Sequence, residues 1–115
     1  MILVIGGLAS GKREYVKKEF DCSDSDMSDG VLDSRPVIYN LQNLISKAPD
    51  SVEALLPELL EKKVVICNET GSGVVPVDKG ERMAREATGR LCVALAEQAE
   101  KVVRLCCGIP TVIKG

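Results

Sequence analysis

An apolar run, Met1-Ile2-Leu3-Val4-Ile5, leads without interruption into Gly6-Gly7-Leu8-Ala9-Ser10-Gly11-Lys12-Arg13. The run reads as a strand buried on both faces of a parallel sheet. A helix is expected from Gly11 or Lys12 to about Phe20. The spacing from Gly6 to Gly11-Lys12 matches GxxxxGK, in the strand–loop–helix context that this pattern demands. Glycines let the backbone turn successive N–H groups inward as an anion nest. The helix N-terminus adds its partial positive charge. Gly6, Gly7, Leu8, Ala9, Ser10, Gly11, Lys12 and Arg13 are therefore the candidate phosphate-binding residues, with Lys12 reaching the β- and γ-phosphates and serving as a candidate catalytic group. The last position of the pattern is normally a Ser or Thr that coordinates Mg²⁺. Here it is Arg13, which cannot ligate a metal. Polyphosphate binding survives that exchange, while Mg²⁺-assisted phosphoryl transfer is weakened.

The rest of the chain alternates strand and helix patterns. Strands are expected at 36–40, 63–67 and 101–106, with 111–114 returning as an antiparallel edge after a turn at Gly108-Ile109-Pro110. Leu41, Leu44, Ile45 and Ala48 share one helical face. Asp50 and Glu53 resemble a capping box for a following helix, in which Pro57 should force a kink or a shifted start. A long helix is expected over about 80–99, with Met83, Ala87, Leu91, Ala94 and Leu95 on its apolar side. This alternation predicts an α/β fold of P-loop type, three layers around a mainly parallel sheet with an antiparallel C-terminal edge strand. Residues 1–115 are expected to form one domain. The polar, acidic stretch at about 21–35 reads as a surface loop.

Ligands of open α/β sheets bind at the carboxyl ends of the strands. The strand ending at Tyr39-Asn40 offers no carboxylate there. The one ending at Cys67 is followed by Asn68 and Glu69, which makes Asn68 a candidate ligand contact and Glu69 a candidate catalytic acid. Gly71, in the same loop, allows close approach of the backbone.

Composition closes off several chemistries. The chain contains no histidine, which excludes Ser-His-Asp triads, Cys-His pairs and any nucleotidyl-histidine intermediate. Aromatic residues make up 3% and the formal net charge is −2, so neither base-stacking platforms nor a basic nucleic-acid footprint is expected. No apolar run is long enough to span a bilayer. Five cysteines without a CxxC pair, and the lack of a signal-peptide pattern, point to a reducing, cytoplasmic compartment. The cysteines themselves are expected as small buried hydrophobes.

Three stretches resemble one family. The opening ILVIGGLASGKR is similar to the ILVTGGARSGKS start of adenosylcobinamide kinase / adenosylcobinamide-phosphate guanylyltransferase. CNETGSGVVP resembles that family's SNEVGxGIVP, and REATGRLCVALAEQAEKVVRLCCGIPTVIKG resembles its RDxAGRxNQxLAxxADEVxLVVSGIPxxIK. The resemblance covers the first ~20 residues and about 62–115. It implies a transferase of cobalamin biosynthesis, with kinase and guanylyltransferase steps, GTP or ATP as the bound nucleotide, adenosylcobinamide as acceptor and a homo-oligomeric assembly. It also implies that Asn68, Glu69 and Gly71 line the nucleotide cleft, and that Arg90 acts as the arginine of the GR motif. The segment that carries the family's guanylylated histidine is replaced here by the acidic stretch and a strand. With no histidine in the chain, that covalent step is closed to it. The alternative is a catalytically degenerate nucleotide- or phosphate-binding module with a regulatory or assembly role.

Overall fold

The computed structural model describes residues 1–7, 9–69 and 79–115. Six strands form one sheet: β1 (Ile2–Gly6), β2 (Met27–Asp29), β3 (Val37–Tyr39), β4 (Val64–Asn68), β5 (Lys101–Cys106) and β6 (Ile109–Lys114). Their spatial order is β2-β3-β4-β1-β5-β6. The first five run parallel, and β6 pairs antiparallel with β5 at one edge. The fold is thus the mainly parallel α/β sheet of P-loop type that the alternating pattern predicts. The first strand in sequence lies inside the sheet between β4 and β5, which explains why its residues are apolar on both faces.

Side chains of β1 alternate between two cores. On one face Leu3 joins Val65, Cys67 and Val102 beneath α2 (Leu41–Lys47), α3 (Leu56–Leu60) and α4 (Lys79–Gln98), which contribute Leu41, Ile45, Leu59, Ala87, Leu91 and Leu95. On the other face Val4 joins Ile66, Val103 and Leu105 beneath Val16 of α1 (Lys12–Glu19). These layers hold the carboxyl ends of β1, β3 and β4 level with the start of α1. No helix among the described residues is long and apolar enough to cross a membrane.

Several expectations need correction. The acidic stretch is not wholly loop. Asp24–Asp26 forms a 3-10 turn closed by a reciprocal Ser23–Asp26 capping box, and Met27–Asp29 is the outer parallel strand. Met27 and Ser28 turn inward and are buried, and the Ser28 hydroxyl donates to the Val37 carbonyl. The Asp50/Glu53 capping box does not form. Pro49 begins a 3-10 helix, Pro49–Leu55, one residue earlier, and Glu53 instead accepts from Arg90. Pro57 does shift a helix start, lying in the first turn of α3. The last hairpin turns at Cys107-Gly108, both at positive φ as tight hairpins require, so Ile109 and Pro110 already belong to β6. Of the five cysteines only Cys67 is buried; Cys22 and Cys92 are partly covered, and Cys106 and Cys107 are exposed. Met83 is partly exposed rather than packed.

Gly6 ends β1 where three elements meet. A Cβ there would lie 2.6 Å from the Ser10 hydroxyl and 2.7 Å from the Leu105 carbonyl, whereas one on Gly7 would meet nothing within 4 Å. Gly6→Ala is therefore expected to destabilise by about 1–3 kcal/mol, as overpacking against backbone does. Gly7→Ala should fall within about 0.5 kcal/mol of the parent. Urea denaturation of the two variants checks the contrast.

Candidate functional site

Among the described residues of the loop between β1 and α1, Ala9 at φ 56° and Gly11 at φ 86° are left-handed. Such a conformation costs an L-residue with a Cβ far more than it costs glycine, so Gly11 is where the sequence could not easily differ. Neighbouring strands pin the loop. The Glu69 amide donates to the Gly6 carbonyl at 2.7 Å, and the Gly108 amide donates to the Ser10 carbonyl at 2.9 Å. The main-chain N–H groups of Ala9, Ser10, Gly11, Lys12 and Arg13 donate to no protein acceptor among the described residues. They sit at the N-terminus of α1, where an anion is favoured.

Beside the loop lies a cleft of about 300 Å³ lined by Ala9, Ser10, Gly11, Lys12, Arg13, Glu14, Tyr39, Asn40, Ile66 and Asn68. Lys12 is 8% exposed. Its Nζ folds back to donate to the Gly7 carbonyl at 2.6 Å and to the Ser10 hydroxyl at 3.3 Å. Burial holds its pKa below the ordinary lysine value; the nearby Cys67 and Glu69 act in the opposite direction. Arg13 lays its guanidinium over the Tyr39 ring, 4.3 Å from the centroid, and reaches Asp24 at 3.4 Å. The far wall is an amide network. Asn40, in a left-handed conformation at the end of β3, donates to Asp29 at 2.7 Å and accepts from Gln42 at 3.3 Å. Gln42 in turn accepts from the Asn68 amide at 3.1 Å.

Of the residues expected from sequence, Ala9, Ser10, Gly11, Lys12, Arg13 and Asn68 line this cleft. Gly6 and Gly7 lead into it. Glu69 follows β4 directly, but its carboxylate accepts a two-pronged ion pair from Arg104 of β5, at 2.5 and 3.0 Å. Arg90 does not line the cleft. It projects from α4 to an exposed pair with Glu53 at 3.3 Å. Leu8 and Gly71 lie outside the described residues. Tyr39 and Asn40 had shown themselves in the sequence only as a strand end without an acid. Gln42 and Arg104 carried no local signal, because their partners lie 26 and 35 residues away.

The donor set does not suit a divalent cation at this loop. Mg²⁺ takes oxygen ligands, usually including a carboxylate, in near-octahedral geometry. Here the position for the coordinating hydroxyl carries a guanidinium. The ends of β3 and β4 present a phenol and two amides. Glu69 is already paired. Among the described residues, no group of three His, Cys, Asp or Glu side chains converges on a common point. On the other side of β4, Cys67 is pushed well above the usual thiol range by its hydrogen bond with Cys92 and by burial, so it stays a thiol.

A family model described as cobinamide kinase / cobinamide phosphate guanyltransferase matches residues 27–113. That span begins after the loop and α1. The bifunctional adenosylcobalamin biosynthesis protein CobP of Pseudomonas aeruginosa is 39% identical over 66 residues, which is 55% of this chain and 38% of that protein. The chain thus covers little more than a third of its relative's length.

The depressed pKa of Lys12 has a measurable consequence. A base whose folded pKa lies below its unfolded value costs stability while both states are protonated. That cost is relieved as pH rises from the folded pKa towards 10.5, because the unfolded state then binds more protons. The stability of the parent relative to Lys12→Met should therefore increase between pH 8 and 10.5. Urea melts of the pair across that range check the slope. A difference that stays constant would contradict it.

Proposed function

This chain belongs to the cobinamide kinase / cobinamide phosphate guanyltransferase family, and on that premise we propose that it binds the polyphosphate of GTP or ATP in the β1–α1 loop and serves cobalamin biosynthesis. The observation that carries the reading is the loop itself. Five consecutive main-chain donors, Ala9 to Arg13, without a protein acceptor among the described residues, at a helix start, adjoin a cleft that holds a buried ammonium. Oriented amides and one cation are the usual means of stabilising phosphate charge.

In this reading the amides of Ser10, Gly11 and Lys12 bind the terminal phosphates. The Lys12 ammonium exchanges the Gly7 carbonyl for a phosphate oxygen, a charge-assisted partner of greater strength. Tyr39, Asn40 and Asn68 form the opposite wall, where the acceptor hydroxyl of adenosylcobinamide would have to approach for phosphoryl transfer. A guanylyl step through a protein histidine is closed to this chain, since it has none. The Glu69–Arg104 pair favours a second reading, binding without turnover. A carboxylate held by a two-pronged guanidinium is a poor general base, because removing a proton from an acceptor would have to compete with that ion pair.

Thermal unfolding with and without GTP or ATP tests the site. Ligand in about 100-fold excess over Kd should stabilise the chain by roughly 2.7 kcal/mol, and Lys12→Ala should remove most of that shift. Melting curves that do not move with either nucleotide would sink the reading. Formation of phosphorylated cobinamide in the same mixtures separates turnover from binding alone.

A further inference from the structure

We infer that the Arg13 guanidinium takes the place of the divalent cation at this loop, so that the preferred ligand is a metal-free nucleoside triphosphate; the inference rests on the polyphosphate reading above. Arg13 directly follows Lys12, at the position where a phosphate loop of this pattern carries its metal-coordinating hydroxyl. Its side chain runs from the first turn of α1 to the carboxyl end of β3, where it covers the Tyr39 ring at 4.3 Å. Arg13, Tyr39, Lys12, Asn40 and Asn68 border one cleft. The guanidinium therefore occupies the space between loop and strand end in which a phosphate-binding enzyme ordinarily keeps Mg²⁺ and the acid that holds it.

Arg13 is only loosely held by its neighbours. Its contact with Asp24 is long, 3.4 Å, and that carboxylate is closer to Lys17, at 2.5 Å. Its Nε is buried with no hydrogen-bond partner among the described residues. The Tyr39 ring lies against the guanidinium, whose side chain is 43% exposed, and release of the long Asp24 contact would let its terminal nitrogens engage two phosphate oxygens at once. A divalent ion brought to the same place would meet this fixed positive charge, with amides and a phenol at the strand ends opposite and Glu14 of α1 as the carboxylate in the cleft lining. Mg²⁺ bound to the nucleotide in solution then competes with the protein instead of assisting it.

Calorimetric titration of the full chain with GTP and with ATP, in excess Mg²⁺ and in excess EDTA, tests the inference. The parent chain is expected to bind at least as tightly in EDTA as in Mg²⁺. Arg13→Ser should bind at least about tenfold more weakly than the parent in EDTA, with Mg²⁺ restoring part of the loss. Arg13→Lys retains the charge without the fork, and should lose less than Arg13→Ser in EDTA. Parent binding that is tenfold or more tighter with Mg²⁺ would overturn the role of Arg13 and leave the polyphosphate site standing. So would a folded Arg13→Ser chain that binds in EDTA like the parent, or an Arg13→Lys chain that binds only with Mg²⁺. Failure of the parent to bind either nucleotide under both conditions would overturn the polyphosphate reading, and the inference with it.

Discussion

The close approach of backbone around Gly6 sets the position of everything at the cleft. The strand end is flanked by the Leu105 carbonyl and the Ser10 hydroxyl at distances that exclude any side chain, while its own carbonyl accepts from the Glu69 amide. Ser10 is tied in turn to the β5–β6 hairpin through Gly108. The loop is thus held by β1, by the end of β4 and by the last hairpin. Its free amides keep their direction because the carbonyls beside them are already committed. Preorganisation of this kind lets backbone donors act on an anion without reorganising first.

On that frame the chain has moved the charge. Where a phosphate loop normally balances a lysine with a metal and an acid, this cleft has Lys12 and Arg13 facing Tyr39, Asn40 and Asn68. The acid that follows β4, Glu69, is paired with Arg104, and Asp29 at the end of β2 accepts from Asn40. The result is a cleft with local positive charge at Lys12 and Arg13 in a protein of net charge −2. The chain has no histidine and Glu69 is held by Arg104, so binding and turnover are separable for this chain.

The parts legible in the sequence were those in which one short segment contains its own signal. β1 and β4 carry short apolar runs, β5 keeps Val102, Val103 and Leu105 around its charged residues, and the faces of α2 and α4 repeat at helical spacing, so the parallel sheet and the antiparallel edge could be read directly. The GxxxxGK loop likewise carries its chemistry in consecutive residues. The outer strand Met27–Asp29 was hidden because three residues are too few to show alternation and the acids around them dominate the composition. The expected cap at Asp50 was displaced because Pro49, which suits a first helical turn, starts the helix sooner. Arg90 was assigned from motif likeness, yet its direction depends on how α4 rests on the helices beneath it, and there Glu53 is within reach. The Arg104–Glu69 pair and the Gln42–Asn68 bond exist only because the topology places β5 across β1 from β4, and α2 beside the end of β4.

Backbone amide resonances of the ¹⁵N-labelled chain, followed during titration with inorganic tripolyphosphate, give the most direct test of the loop as an anion site. The account predicts saturable shifts that are largest at Ser10, Gly11, Lys12 and Arg13, and that vanish in Lys12→Ala. Shifts spread over the surface lysines, or none at the start of α1, would contradict it.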